Sequence, residues 1–88
     1  MKRIRRSTQF KKDYKRAQKA GKNFAELQKV IYQLAASEAL DPIYRDHALL
    51  GNYQGCRECH IEPNWLLIYK SSETELALVR TGSHSELF

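Results

Sequence analysis

The chain lacks any apolar run that approaches the roughly 18–20 residues of a membrane-spanning helix. Its basic N-terminus is not followed by the apolar segment of about 7–15 residues or the small-residue cleavage site of a signal peptide. No internal repeat and no low-complexity tract occurs. These absences predict a cytoplasmic protein without membrane contact, and the length of 88 residues predicts a single domain over residues 1–88.

Cysteine is scarce, and both cysteines lie in the sequence CRECH at residues 56–60. The bare pattern Cys-x-x-Cys-His marks c-type haem attachment, but that attachment requires export, for which no signal is present. On a predicted strand, Cys56 and Cys59 lie roughly 10 Å apart with side chains on opposite faces, which excludes a disulfide and argues against a shared zinc site. We therefore expect no cofactor and no metal, and a core position for Cys59.

Acidic residues are almost absent from residues 1–22, which hold ten basic residues and only Asp13 as an acid, for a net charge of +9. Residues 23–88 carry a net charge of −4. A basic segment of this density on a folded domain predicts contact with a polyanion, above all a nucleic acid. The alternative is a solvated helix surface that keeps the protein soluble.

The first half of the chain predicts a short edge strand in KRIRRS and then two helices. Apolar residues at three- and four-residue intervals predict a first amphipathic helix with a basic outer face, capped by Ser7 or Thr8 and ended by Gly21. A second helix is predicted from a cap at Asn23 to Asp41-Pro42, where proline disfavours helical backbone in the preceding residue. The short connection predicts an antiparallel helical hairpin.

The second half predicts a loop over residues 43–55, then strands in CRECHIE, WLLIYK and LALVRT, and a final helical turn with a Ser83–Glu86 capping box. Short connections predict antiparallel neighbours. The order β-α-α-β-β-β predicts an α+β fold with helices on one face of an antiparallel sheet. Alternation places Glu58, His60 and Glu62 on the other, open face, where a site could lie.

The three histidines, His47, His60 and His84, stand in polar settings, and each taken alone fits a surface or turn residue. Arg80 alternates with two leucines, so an inward charge there calls for a partner or a ligand. Together these residues fit RNA cleavage without a metal. Imidazoles can take a proton from the 2′-hydroxyl and give one to the leaving 5′-oxygen, and a guanidinium can bind the charged phosphate.

Aromatic residues could stack on unpaired bases. Phe88 is well placed for stacking just beyond His84, or else fills the core, while Trp65 and Tyr69 fit the core of the sheet better. The sequence has no phosphate-binding glycine loop, no carboxylate metal cluster and no serine nucleophile elbow, which favours chemistry without a metal.

The blocks HALLG, HIEPNWLLIYK and RTGSHSELF, taken together, resemble the YafQ branch of the RelE-like toxins of bacterial toxin–antitoxin systems. The resemblance covers nearly the whole chain and implies a RelE-like, microbial-RNase-like fold. It implies a ribosome-dependent endoribonuclease that cuts mRNA in the ribosomal A site and a cognate antitoxin that binds the toxin and blocks the site. The cysteines of CRECH play no part in the resemblance, so the haem pattern is accidental.

The resemblance also implies residue roles. His84 would be the general acid, His60 or His47 would supply the general base, and Arg80 would stabilise the charged phosphorane. The implied substrate-binding residues are Asn64, Trp65 and Phe88. The basic helix would contact ribosomal RNA through Lys11, Lys12, Lys15, Arg16 and Lys19.

One position departs from the family pattern, because Asn64 stands where aspartate is common. Asparagine cannot take a proton at neutral pH, so activity would be weaker or reassigned if that position acts as a base; Glu62 is a nearby carboxylate. Two other interpretations stay open. One is a non-nuclease toxin of the same fold, like the gyrase-poisoning ParE branch, and the other is an RNA- or ribosome-binding module with decayed catalysis.

Overall fold

The computed structural model describes residues 1–88 as one five-stranded sheet with three helices. The strands lie in the order β1-β5-β4-β3-β2 across the sheet. Their bounds are β1 Arg3–Arg6, β2 His47–Ala48, β3 Arg57–Glu62, β4 Trp65–Ser71 and β5 Glu75–Gly82. The helices are α1 Thr8–Lys19, α2 Phe24–Ala35 and α3 His84–Leu87. The predicted α+β class is confirmed.

Both long helices begin at the predicted caps. The side chain of Ser7 accepts a hydrogen bond from the N–H of Phe10 at 2.9 Å, and Asn23 caps α2 in the same way. The prediction that α2 runs on to Asp41-Pro42 is wrong, because the helix ends at Ala35. Ser37 adopts left-handed backbone at φ 60°, and the Ala35 carbonyl accepts from the Lys2 N–H at 2.8 Å, so the helix end is satisfied by other partners.

The three consecutive strands β3, β4 and β5 pair antiparallel, as predicted. The sheet as a whole is mixed, because β1 pairs in parallel with the edge of β5. The predicted loop over residues 43–55 also contains structure: two short 3₁₀ helices and strand β2, which pairs antiparallel with β3. A strand of two residues is too short to show an alternating pattern, which is why the sequence did not reveal it.

The face of the sheet beneath α1 and α2, here called the helix face, carries the main core. A cluster of 14 buried residues fills it, and Cys59 is fully buried there, as predicted. The apolar side chains come from both helices and from β3, β4 and β5. Burial of this kind is the dominant favourable contribution to folding.

The opposite face, here called the histidine face, was predicted to be open but is partly covered. A second cluster of Leu66, Ile68 and Leu87 lies there, flanked by Tyr53 of the second 3₁₀ helix. The Tyr53 hydroxyl donates to the Leu87 carbonyl at 3.1 Å, which ties the 3₁₀ segment to α3. None of the helices is long and apolar enough to cross a membrane.

Candidate active site

Strand register brings candidate residues from four strands into one row on the histidine face. His47 lies opposite Glu58, Glu58 opposite Ile68, and Ile68 opposite Arg80. Directly opposed residues of antiparallel strands share a face. A bulge at Val79 shifts the β4–β5 register, so Arg80 leaves the face of Leu78. The sequence alternation that pointed Arg80 inward with the leucines was therefore interrupted by one extra residue.

The remaining two histidines lie beside this row. His60 follows Glu58 by two residues and lies opposite Leu66, which lies opposite Gly82, after which the chain turns into α3. The ring centroids of His47 and His60 are 6.3 Å apart, and those of His60 and His84 are 6.4 Å apart. The structure thus brings the three predicted histidines together, with His60 between His47 and His84 as the neighbour of each.

Asn64 holds the start of the helix that carries His84. Its side-chain oxygen accepts a hydrogen bond from the backbone N–H of His84 at 3.3 Å. The predicted capping box completes this turn, because Ser83 and Glu86 exchange hydrogen bonds between side chain and backbone. The amide oxygen of asparagine can accept this bond, as a carboxylate oxygen of aspartate can.

Glu58 is a candidate residue that the sequence analysis placed on the open face but to which it gave no role. It is only 2% exposed, and its Oε1 lies 3.8 Å from the Nε2 atoms of both His47 and His60. The carboxylate therefore lies within ion-pair distance of both rings. Its alternation with His60 in CRECHIE was the available signal.

The ring of His47 is held by its neighbours along the chain. Its Nδ1 lies 2.7 Å from the Arg45 carbonyl. A carbonyl only accepts, so Nδ1 carries the proton and Nε2 is the basic nitrogen of the neutral ring. Asp46 anchors this segment to the sheet by accepting from the Tyr69 hydroxyl at 2.6 Å and from Arg57 at 3.1 Å. Burial, together with that bond, raises the pKa of Tyr69.

Arg80 finds its partner inside the protein. Its Nε and Nη2 donate to the two oxygens of Asp13 at 3.0 Å each. Asp13 is 1% exposed and also accepts from the Thr81 N–H and from Gln9. Burial opposes ionisation of Asp13, but the bonds from Arg80, Thr81 and Gln9 lower its pKa overall. The bond to Asp13 raises the pKa of Arg80.

The two predicted aromatic contacts differ in position. Phe88 is 59% exposed, with its ring 5.3 Å from that of His84 and 5.4 Å from that of Tyr53. Trp65 is 1% exposed and packs edge-on against Phe24 in the main core. The placement of Trp65 in contact with substrate is corrected, because regular alternation along β4 puts it on the helix face.

A family model described as the bacterial toxin of type II toxin–antitoxin system, YafQ, matches residues 2–88. The chain belongs to the YafQ family. The mRNA interferase toxin YafQ of Escherichia coli strain K12 is 41% identical over 86 residues, which make up 97% of this chain and 94% of that protein.

Solved structures share the fold. The Escherichia coli DinJ–YafQ complex contains a chain with a TM-score of 0.91 and 39% identity, covering 100% of this chain and 99% of that one. A copper-bound mutant toxin from Helicobacter pylori has a TM-score of 0.95 and 42% identity over 100% of both chains. The YafQ-like fold implied by the sequence resemblance is confirmed.

The copper belongs to the Helicobacter pylori toxin. No group of three or more His, Cys, Asp or Glu side chains in this YafQ-family chain is arranged to hold an ion.

The basic surface predicted for this YafQ-family chain lies on α1. Lys11, Lys12, Lys15 and Lys19 are exposed there. Arg16 differs from these lysines, because it forms ion pairs with Asp13 at 3.0 Å and with Glu86 at 2.9 Å. Arg16 therefore links α1 to α3 within the protein, in addition to any contact with a partner.

Proposed function

We propose that the chain is a cytoplasmic toxin that cuts mRNA in the ribosomal A site and so stops translation. The observation that carries the proposal is the series of neighbouring rings His47, His60, His84 and Phe88 on the histidine face. Family membership supports it, since a relative of 41% identity over 86 residues is an mRNA interferase toxin.

The reaction begins with attack of the 2′-oxygen on the neighbouring phosphorus. His60 accepts the 2′-hydroxyl proton as the new oxygen–phosphorus bond forms, and His84 protonates the 5′-oxygen as its bond to phosphorus breaks. The centroids of the two rings lie 6.4 Å apart, so both imidazoles are close enough to act on one phosphodiester. Each transfer contributes about 10²–10⁴-fold in rate.

His60 is the better base because its ring is next to that of His84. Glu58 stabilises the imidazolium that forms when His60 takes the proton, and His47 shares the same carboxylate. Arg80 uses Nε and Nη2 to bind Asp13, which leaves its other amino group for the phosphorane oxygens. Phe88 offers an exposed ring for stacking on a base.

The partners follow from charge and family. The exposed lysines of α1 bind ribosomal RNA phosphates without reading sequence. A cognate antitoxin binds the toxin and blocks the site; YafQ of Escherichia coli has been solved in complex with DinJ.

The test is cleavage of a defined mRNA on programmed ribosomes, with fragment ends mapped and the same mRNA assayed without ribosomes. We expect cleavage only on ribosomes, and a loss of about 10²–10⁴-fold in His84→Ala because the leaving oxygen loses its acid. Ser85→Ala, an exposed neighbour in α3, is the matched control and should cut normally.

Two outcomes would contradict the proposal. Ribosome binding without cleavage by the wild type would indicate a binding module with decayed catalysis. Full toxicity of His84→Ala in cells would favour a non-nuclease toxin of the same fold.

A further inference from the structure

A cleft of about 550 Å³ opens beside His60, at the edge of the sheet. Strand β2 pairs with β3 only at Arg57 and Glu58, so no strand covers the edge of β3 from Cys59 onward. The first 3₁₀ helix, Pro42–Tyr44, forms the facing wall. The cleft is lined by Glu26, Ile43, Tyr44, Arg45, His60, Ile61, Glu62 and Pro63. Its volume is in the range of small-ligand sites.

Arg45 is held at the mouth of this cleft. It is one of two residues other than glycine with positive φ, at 50°. Its N–H donates to the Pro42 carbonyl at 3.0 Å, and its carbonyl accepts from His47 Nδ1 at 2.7 Å. The guanidinium makes no ion pair and no hydrogen bond within the protein. Arg45 thus combines an exposed, unpaired guanidinium with an uncommon loop backbone whose carbonyl holds a site histidine, and loops carry binding residues disproportionately often.

Two residues that line the cleft also have polar groups without partners. His60 Nδ1 is buried without a hydrogen bond, and the half-buried carboxylate of Glu62 has neither an ion pair nor a hydrogen bond. Glu26 differs from Glu62, because it accepts a hydrogen bond from the Tyr44 hydroxyl and is thereby occupied. The cleft thus presents one free acceptor in Glu62 and one free donor in Arg45, beside an imidazole of the candidate active site.

We propose that this cleft binds one base of the substrate RNA, next to the cleaved bond, and prefers a base with an amino group over uracil. The inference rests on the proposed function. A carboxylate accepts hydrogen bonds from an exocyclic amino group, and a guanidinium donates to ring nitrogen and carbonyl acceptors. The apolar residues Ile43, Ile61 and Pro63 suit the face of a base, whereas Glu62 would repel a phosphate.

The test is base preference rather than rate. Each of the four bases is placed in turn at each position of the A-site codon, and kcat/KM is measured on ribosomes. We expect wild type to discriminate against uracil at one position, and Glu62→Gln to reduce that ratio by about fivefold or more. Arg45→Ala should weaken the preference at the same position. Glu73→Gln, an exposed carboxylate in the turn before β5, is the matched control and should keep the wild-type ratios.

A second measurement separates this inference from the proposed function. The protein is titrated with AMP, CMP, GMP and UMP while backbone amide resonances are recorded. Shifts centred on Ile43, Arg45 and Ile61 with the amino-bearing nucleotides, lost in Glu62→Gln, would support the cleft even if the wild type failed to cut mRNA. Unchanged base ratios in Glu62→Gln and Arg45→Ala, or nucleotide shifts that avoid the cleft, would overturn it.

Discussion

Leu66 and Leu67 are consecutive residues of β4 and both are fully buried, but their side chains lie on opposite faces of the sheet. Leu67 packs into the cluster of 14 residues between the sheet and its two long helices. Leu66 belongs to a cluster of three beneath short segments, and it lies opposite His60 in the sheet. One strand therefore supports a large apolar core on one side and a polar site on the other.

The helix face of the sheet mainly stabilises the fold, and the histidine face carries the candidate active site. The helix face buries mainly apolar side chains, whereas the histidine face buries Glu58 between two imidazoles. Each face leaves a buried ring nitrogen without a partner, Trp65 Nε1 on the helix face and His60 Nδ1 on the histidine face. Buried polar groups without hydrogen bonds cost stability. A small protein can carry such groups because the helix face of the same strands is densely packed.

Asp13 is expected to give the largest effect, because it links the faces by holding Arg80 from α1. Asp13→Asn should lower the free energy of unfolding by about 3–5 kcal/mol, since it breaks a buried ion pair. The pKa of Asp13 is lowered below its ordinary value of 3.8. Its stabilising contribution is therefore complete well above pH 3.8 and is lost as the pH falls through the lower folded-state value.

Denaturant unfolding of wild type and Asp13→Asn from pH 7 down to pH 2 measures this contribution. The difference between the two proteins should shrink as the pH falls. Gln9→Ala, which removes one of the hydrogen bonds to Asp13, should cost about 1 kcal/mol. A gap between wild type and Asp13→Asn that is constant across this range would contradict the assigned ionisation.

Alanine substitutions of Leu66 and Leu67 directly compare the histidine face with the helix face. Leu67→Ala should lower the free energy of unfolding by an amount near the top of the range of about 2–5 kcal/mol, because residues fixed between helices and sheet cannot close the cavity. Leu66→Ala should lower the free energy of unfolding by an amount near the bottom of this range, since the short segments above Leu66 can relax. It should reduce cleavage more than Leu67→Ala does, because it shifts His60. Chemical denaturation and the ribosome cleavage assay measure the two effects. Greater loss of cleavage in Leu67→Ala at equal folded fraction would contradict this division.

Much of the fold could be predicted because its signals are local. The caps at Ser7 and Asn23, the left-handed Gly21 and the Ser83–Glu86 capping box each depend on neighbouring residues only. The end of α2 and the parallel pairing of β1 could not be predicted, because they depend on contacts between distant parts of the chain.

The candidate site was predictable in residue type but not in arrangement. The three histidines and Arg80 were identified from polar settings and from the family resemblance. The Val79 bulge changed the face of Arg80, and its partner Asp13 lies 67 residues away along the chain. Asp13 did carry a signal, as the single acid among the first 22 residues. Arg45 carried none, because its importance depends on backbone conformation and on the cleft beside it.

Substitutions of the two cysteines of CRECH are expected to have the smallest effects on the free energy of unfolding. They compare the two faces of the sheet at positions three residues apart. Cys59 is fully buried in the main core, whereas Cys56 is half-buried beside the cluster on the histidine face. Cys59→Ser should lower the free energy of unfolding by about 1–3 kcal/mol, because a hydroxyl enters an apolar site. Cys56→Ser should cost less than about 0.5 kcal/mol.

Alkylation offers an independent measurement in the native protein. Burial raises the pKa of Cys59 to about 12, so its reactive thiolate is scarce and its sulfur is shielded from reagents. Iodoacetamide followed by peptide mass analysis should therefore modify Cys56 and spare Cys59 until the protein unfolds. Equal labelling of both cysteines under native conditions would mean that β3 opens readily. The helix face would then lack the rigidity on which the arrangement of His60 and Glu58, carried by the same strand, depends.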